Sequence, residues 1–232
     1  PLVVNAACSA RMVARFDARS NGRAPQVIWM TNEASCAGLS VGQVRMRRPE
    51  SGHDTTDLVG VFRAVLGSLF GDLERLAACW QRAQTSRPVF ESGGTSRHPR
   101  PPSPPLETVP LVESFHLAVR NLVDVWSVVL PPASILELKK LSQVPSGEFR
   151  MPESLWARLV YDVALAYRLR VMNRDHLLRS FVSLYLAWVA SWARQATGDS
   201  AAASGQERLC GAFEHERPYF LSRWRWPDRF SP

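Results

Sequence analysis

The residues best equipped for chemistry lie in one stretch, Met151 to Arg194. There Asp162 follows Tyr161 inside an otherwise apolar run, and Asn173-Arg174-Asp175-His176 sets an acid, a base and a titratable ring side by side. A carboxylate among apolar neighbours needs a partner, because burying an unpaired charge is expensive. Two readings stand open. In one, Asp162 pairs with Arg158 a turn earlier and the tetrad caps a helix. In the other, Asp162, Tyr161, Arg174, Asp175 and His176 line a site. A first helical turn disfavours the protonated form of His176, so its neutral ring would serve as acceptor or base.

The elements that must position these groups follow from periodicity. Leu155, Leu159, Val163 and Tyr167 recur at helical spacing, as do Phe181, Leu184, Tyr185, Trp188, Val189 and Trp192. Pro152 and Glu153 suit a first turn, since proline lacks only a donor that would be unpaired there and an acid favours the positive end of the helix dipole. Asn173 suits a cap, with Asp175 in the first turn after it. The spacing predicts two helices joined near Val171 to Asn173.

Tyr161-Asp162 with Ala164 and Tyr167, then Asn173 to Leu178, Ser183 to Leu186 and Ala190-Ser191 resemble the C-terminal half of bacterial sugar-nucleotide glycosyltransferases of the GT-A type, similar to mannosylglycerate and glucosylglycerate synthases. Ala14 to Phe16, Ile28 to Thr31, Asp57-Leu58 with Phe62, Val65 to Gly67 and Leu69-Phe70 extend the resemblance upstream, and Leu209-Cys210, Phe213-Glu214, Pro218-Tyr219 and Ser222 to Trp224 extend it downstream. It implies a mainly α, helical C-terminal domain with at most one or two short strands, acting on the acceptor side of hexosyl transfer from a nucleotide sugar to a small acceptor. It also implies Mg2+ or Mn2+ in a full-length relative. A metal-dependent GT-A enzyme places that cation with an Asp-x-Asp pair, and no Asp-x-Asp occurs in this chain. Walker and Gly-x-Gly-x-x-Gly loops are missing from it too. The expectation is therefore a truncated form, inactive alone because the donor-binding half is absent, with no cofactor of its own; whether it is an enzyme stays open. Val27 stands where relatives carry an acid, and His53 is a displaced counterpart of their metal-ligating histidine or a plain surface residue. A helical protein-interaction module without catalytic activity is the alternative.

Composition narrows the classes further. The chain has 232 residues, 46% of them hydrophobic, a net charge of +7 and a pI near 9.8, enough for one domain with a core. Its arginines are scattered, and it shows neither a compact basic patch nor a helix-turn-helix pattern, so nucleic acid is not the expected partner. Homo-oligomerisation stays open. Cys8, Cys36, Cys79 and Cys210 are far apart with no metal-ligand spacing, which predicts reduced thiols in a cytoplasmic protein. The most lipid-like run, Ser180 to Ala193, is shorter than the roughly 18 to 20 apolar residues that span a bilayer.

In chain order, residues 1–54 are expected to be a remnant of a catalytic-domain edge, with a short helix over Ile28 to Leu39 and a strand over Leu39 to Arg45. Residues 55–84 are predicted as one long helix, capped by Thr55 or Thr56, in which Gly60, Gly67 and Gly71 mark close helix approaches. Residues 85–110 are a Pro/Ser/Gly-rich linker centred on His98 to Pro105. Residues 111–232 form a helical domain with a tail: Leu111 to Val129, a break at Pro131-Pro132, Ser134 to Ser142, the central pair, a loop over Thr197 to Gly205, and a last helix over Gln206 to Phe220. In the tail Arg and Trp interleave, which suits stacking on bases or sugars and, more commonly, docking of the tryptophans on the chain's own core.

Overall fold

The computed structural model describes residues 26–44, 58–83, 90–92, 106–195 and 199–227. The chain divides into two compact units, Pro1–Ser103 and Pro104–Pro232. Helix dominates the described residues of both. Two three-residue strands are the only strands among the described residues.

In the first unit, α1 (Gln26–Cys36) is followed by β1 (Gly42–Val44), α2 (Leu58–Arg75), α3 (Ala77–Trp80) and β2 (Phe90–Ser92). Trp29 is buried against Met30, Ala34 and Leu39. On α2, Phe62, Leu66 and Phe70 are buried at the helical spacing the sequence shows. Polar groups join α1 to α2: Asn32 donates to Asp72 at 3.0 Å, Arg75 donates to Asp72 at 3.0 Å, and Arg75 also pairs with Glu33. Since Asp72 is buried, this pairing is what makes its charge tolerable there.

Four expectations change in this unit. The long helix breaks after Arg75, where Leu76 leaves helical geometry (φ −97°, ψ 17°), and α3 starts anew. A Cβ at Gly71 would meet nothing within 4 Å, so no close approach explains that glycine. The linker is not structureless throughout, because Phe90–Ser92 pairs in parallel with β1, Gly42 opposite Phe90 and Val44 opposite Ser92. Its proline-rich centre, His98 to Pro105, lies outside the described residues, as do Thr55 and Thr56. Finally, Cys36 and Cys79 are joined as a disulfide, their Cα atoms 5.7 Å apart, which corrects the expectation of reduced thiols. Residues distant in sequence gave no spacing signal, and the end of α1 meets α3 only in the fold.

The second unit contains α4 (Thr108–Ser127), α5 (Pro132–Leu141), α6 (Glu153–Leu169), α7 (Arg174–Gln195) and α8 (Asp199–Arg225). Helix α4 packs on α7, where Trp126 donates its indole N–H to the Ser180 carbonyl at 3.1 Å. Phe115 and Phe149 pack ring to ring at 5.3 Å. Trp156 of α6 stacks on both Phe181 and Trp188 of α7, at 5.3 and 5.5 Å, a pair of contacts made possible by their two-turn spacing. The buried Ser191 hydroxyl accepts the Met151 N–H at 2.9 Å and so fixes the chain's approach to α6.

Pro132 begins α5 instead of merely breaking the chain, as its fixed φ and missing donor allow at a first helical position. The last helix is longer than expected. It begins at Asp199, through the Ala201-Ala202-Ala203 run that was expected to be loop, and alanine's high helix propensity accounts for that. At Gly205 the backbone passes close to the Trp192 ring: a Cβ there would lie 2.9 Å from the ring's far edge, so the ring would have to shift. Among the described residues no helix is long and apolar enough to cross a membrane.

Candidate functional site

Helices α6 and α8 pack directly on each other and run in the same direction, α7 connecting them in the chain, and a ladder of polar contacts joins them. Arg208 meets Glu153 at 3.3 Å, Arg158 donates to Glu216 at 2.8 Å, the Tyr219 hydroxyl donates to Asp162 Oδ1 at 2.6 Å, and Arg168 donates to the Trp224 carbonyl at 2.6 Å. Partner positions rise together along both helices, as two parallel helices require. Between the rungs Tyr161 stacks on Phe220 at 4.4 Å and donates its hydroxyl to the Phe213 carbonyl at 2.9 Å. The Arg168 guanidinium lies 4.2 Å over the Trp224 ring.

The Arg158–Asp162 pairing is therefore corrected. Both residues face α8, but α8 presents Glu216 to Arg158, while Asp162 receives Tyr219 and Arg223 one and two turns further on. Arg223 Nε approaches Asp162 Oδ1 at 3.3 Å as an ion pair without hydrogen-bond alignment. Asp162 is 1% exposed, and its Oδ2 finds no hydrogen-bond partner among the described residues. Burial pushes its carboxyl from the ordinary value up to about 6, against the opposing pull of the Tyr219 hydrogen bond and the Arg223 and Arg158 charges. Geometry and titration point opposite ways here, since ion pairing favours the carboxylate and burial the acid. Burial prevails, because only one of the two oxygens is supported.

Neighbouring groups shift with it. Burial, then the Asp162 charge and its hydrogen bond, raise the Tyr219 hydroxyl. Tyr161 is pushed up to about 12, chiefly by burial. The Arg158 guanidinium is held protonated above all by its hydrogen bond to Glu216.

The tetrad lies elsewhere. Helix α6 ends in left-handed Arg170 (φ 54°), whose N–H returns to the Ala166 carbonyl. Asn173 Oδ1 then accepts the backbone N–H groups of Asp175 at 3.0 Å and His176 at 3.2 Å, capping α7. The Arg174 guanidinium donates to the Tyr167 carbonyl at 3.1 Å and lies 4.2 Å over the Tyr167 ring. Asp175 pairs with Arg179 at 2.7 Å along an exposed face, and His176 is exposed. Asp162 lies two turns before the end of α6 and points at α8, so the structure does not bring it into one pocket with the tetrad. Tyr161 and Asp162 belong to the helix seam, whereas Arg174, Asp175 and His176 belong to the junction.

The seam's other half, Glu216, Tyr219, Arg223 and Trp224, is absent from the candidate residues read in the sequence. A signal existed: 216, 219, 220, 223 and 224 share one helical face. In the tail, Trp224 is 3% exposed against Phe220 and Trp226 is 62% exposed, so one tryptophan docks on the core and the other faces outward. Among the described residues no three His, Cys, Asp or Glu side chains gather as metal ligands. His53 lies outside those residues. Comparison with protein-family models, with curated proteins and with solved structures finds no match.

Proposed function

We propose that this chain is the helical, acceptor-side part of a sugar-nucleotide-dependent glycosyltransferase of the kind similar to mannosylglycerate and glucosylglycerate synthases, and that it does not transfer sugar by itself. One observation supports the reading above others. Residues that carry the resemblance in two separate stretches meet each other: Tyr161 with Phe213, and Asp162 with Tyr219 and Arg223. A shared sequence pattern divided between distant segments is what a common helical seam would produce.

In this role the seam is structural and the junction faces the ligand. Arg174, held against Tyr167, offers a positioned cation, and the exposed His176 offers its imidazole toward a small anionic acceptor. A donor-binding domain must supply the nucleotide site, since this chain holds no Asp-x-Asp. Calorimetry of the chain with UDP-, GDP- and ADP-sugars, with Mg2+ or Mn2+, is expected to give no binding heat. Micromolar, metal-dependent binding would overturn the reading.

A helical interaction module without catalysis is the second reading. It is favoured by Asp162, whose supported oxygen is already taken by Tyr219 and Arg223. If it holds, adding a donor-binding domain produces no transfer.

A further inference from the structure

The interleaved Arg and Trp residues of the tail take no part in sugar transfer as proposed, yet the fold sets them beside a second basic stretch. Because α6 and α8 run in the same direction and Arg168 meets Trp224, the end of α6, the joint over 170–173 and the end of α8 lie at one end of the second unit. Arginines that are scattered in the sequence gather there. Residues 167–176 and 222–227 hold Arg168, Arg170, Arg174, Arg223 and Arg225 against a single acid, Asp175, which already pairs with Arg179. Arg223 turns inward to Asp162, Arg168 and Arg174 lie over the Trp224 and Tyr167 rings, and Arg170 and Arg225 are exposed. Leu169, Val171 and Trp226 stand at the same end, 42% to 62% exposed.

We propose that this end of the second unit docks on an anionic membrane surface, with Arg170 and Arg225 at the lipid phosphates and Leu169, Val171 and Trp226 at the boundary between headgroups and acyl chains. Charge and apolar surface ask for the same partner. Arginine pairs with phosphate through two parallel N–H bonds, and an anionic leaflet attracts it over roughly a Debye length. Tryptophan favours the headgroup level, and aliphatic side chains beside it gain from entering the acyl boundary. Nucleic acid would use the arginines and Trp226 but leave Leu169 and Val171 in water. The two tail tryptophans thus divide their roles: Trp224, packed on Phe220 and under Arg168, fixes the end of α8, and Trp226 meets the lipid. With three side chains entering the boundary, the attachment is shallow and reversible. It does not rest on the glycosyltransferase reading, and the variants that test it leave Arg174 and His176 in place.

Co-sedimentation of the full chain with vesicles of equal parts phosphatidylserine and phosphatidylcholine tests it. The expected result is binding to these vesicles, little to pure phosphatidylcholine, and a decline as salt is raised. Arg170→Asn with Arg225→Asn is expected to weaken partitioning at least about tenfold; asparagine tolerates the left-handed backbone at 170. Leu169→Asn with Val171→Asn is expected to weaken it too, with the salt dependence kept. Lys139→Asn with Lys140→Asn makes the same change in net charge at exposed positions of α5 and is expected to weaken it far less. Circular dichroism and melting confirm that each variant folds. No binding to the anionic vesicles, or equal losses in the arginine and lysine variants, overturns the proposal. Tighter binding to a single-stranded oligonucleotide than to the vesicles, unaffected by Leu169→Asn with Val171→Asn, also overturns it and assigns the surface to nucleic acid.

Discussion

Replacing Asp162 by asparagine separates the charge of this residue from its shape. The asparagine carbonyl can still accept the Tyr219 hydroxyl, and the volume hardly changes, so what disappears is the ionised form. Because the folded-state carboxyl titrates near 6 against an ordinary 3.8, the native chain holds its proton where the unfolded chain has released it. Stability from this group is therefore fully present below about pH 4 and is lost as pH rises from about 4 to about 6. Two units correspond to roughly 3 kcal/mol, with little solvent screening to discount at 1% exposure.

The assay is denaturant unfolding of both proteins at pH 4 and pH 7, read as the difference between them. Other carboxylates cancel in that difference, as does any fixed cost of the substitution. The expected outcome is that the difference moves by roughly 3 kcal/mol in favour of Asp162→Asn on going from pH 4 to pH 7. A difference that stays flat, or moves the other way, would refute the reasoning. It would mean that Arg223 and Tyr219 outweigh burial and hold the carboxyl low.

Three further outcomes follow from the same contacts. Arg158→Ala leaves Glu216, a buried carboxylate, without its cation, and because the Arg158 side chain is itself 42% exposed the expected cost in chemical denaturation is about 1 to 3 kcal/mol; no measurable loss would show that Glu216 does not depend on Arg158. Asn173→Ala removes the cap of α7 and is expected to cost about 1 kcal/mol, with Asn173→Asp retaining most of it. Peptide mass mapping without reductant is expected to show Cys36 joined to Cys79 across 43 residues, and reduction to destabilise the first unit by about 4 kcal/mol in the chain-entropy picture. Equal melting with and without reductant would count against that bridge.

Much of the helical order was legible because apolar periodicity is local. The α6–α7 pair, its joint near Val171 to Asn173 and the Asn173 cap follow from spacing and side-chain chemistry within a few residues. What escaped was set by contacts between distant residues. Arg158 and Asp162 are a turn apart and look like a pair, yet α8 brings Glu216 to one and Tyr219 to the other. Cys36 and Cys79 carry no motif because only the fold makes them neighbours. Phe90–Ser92 reads as linker until β1 lies beside it. The small residues before Gln206 read as loop, although alanines extend a helix as readily as any residue.

The proposed role is tested most directly by supplying the donor-binding domain that it calls for. A donor-binding GT-A domain from the glucosylglycerate or mannosylglycerate synthase group would be incubated with its nucleotide sugar, Mg2+ and glycerate, with and without this chain, and hexosyl transfer measured. The prediction is transfer that requires both components and that His176→Ala, at an exposed position, weakens without lowering the melting temperature of this chain. Transfer that is unchanged by the chain, together with no detectable binding between the two proteins, would contradict it.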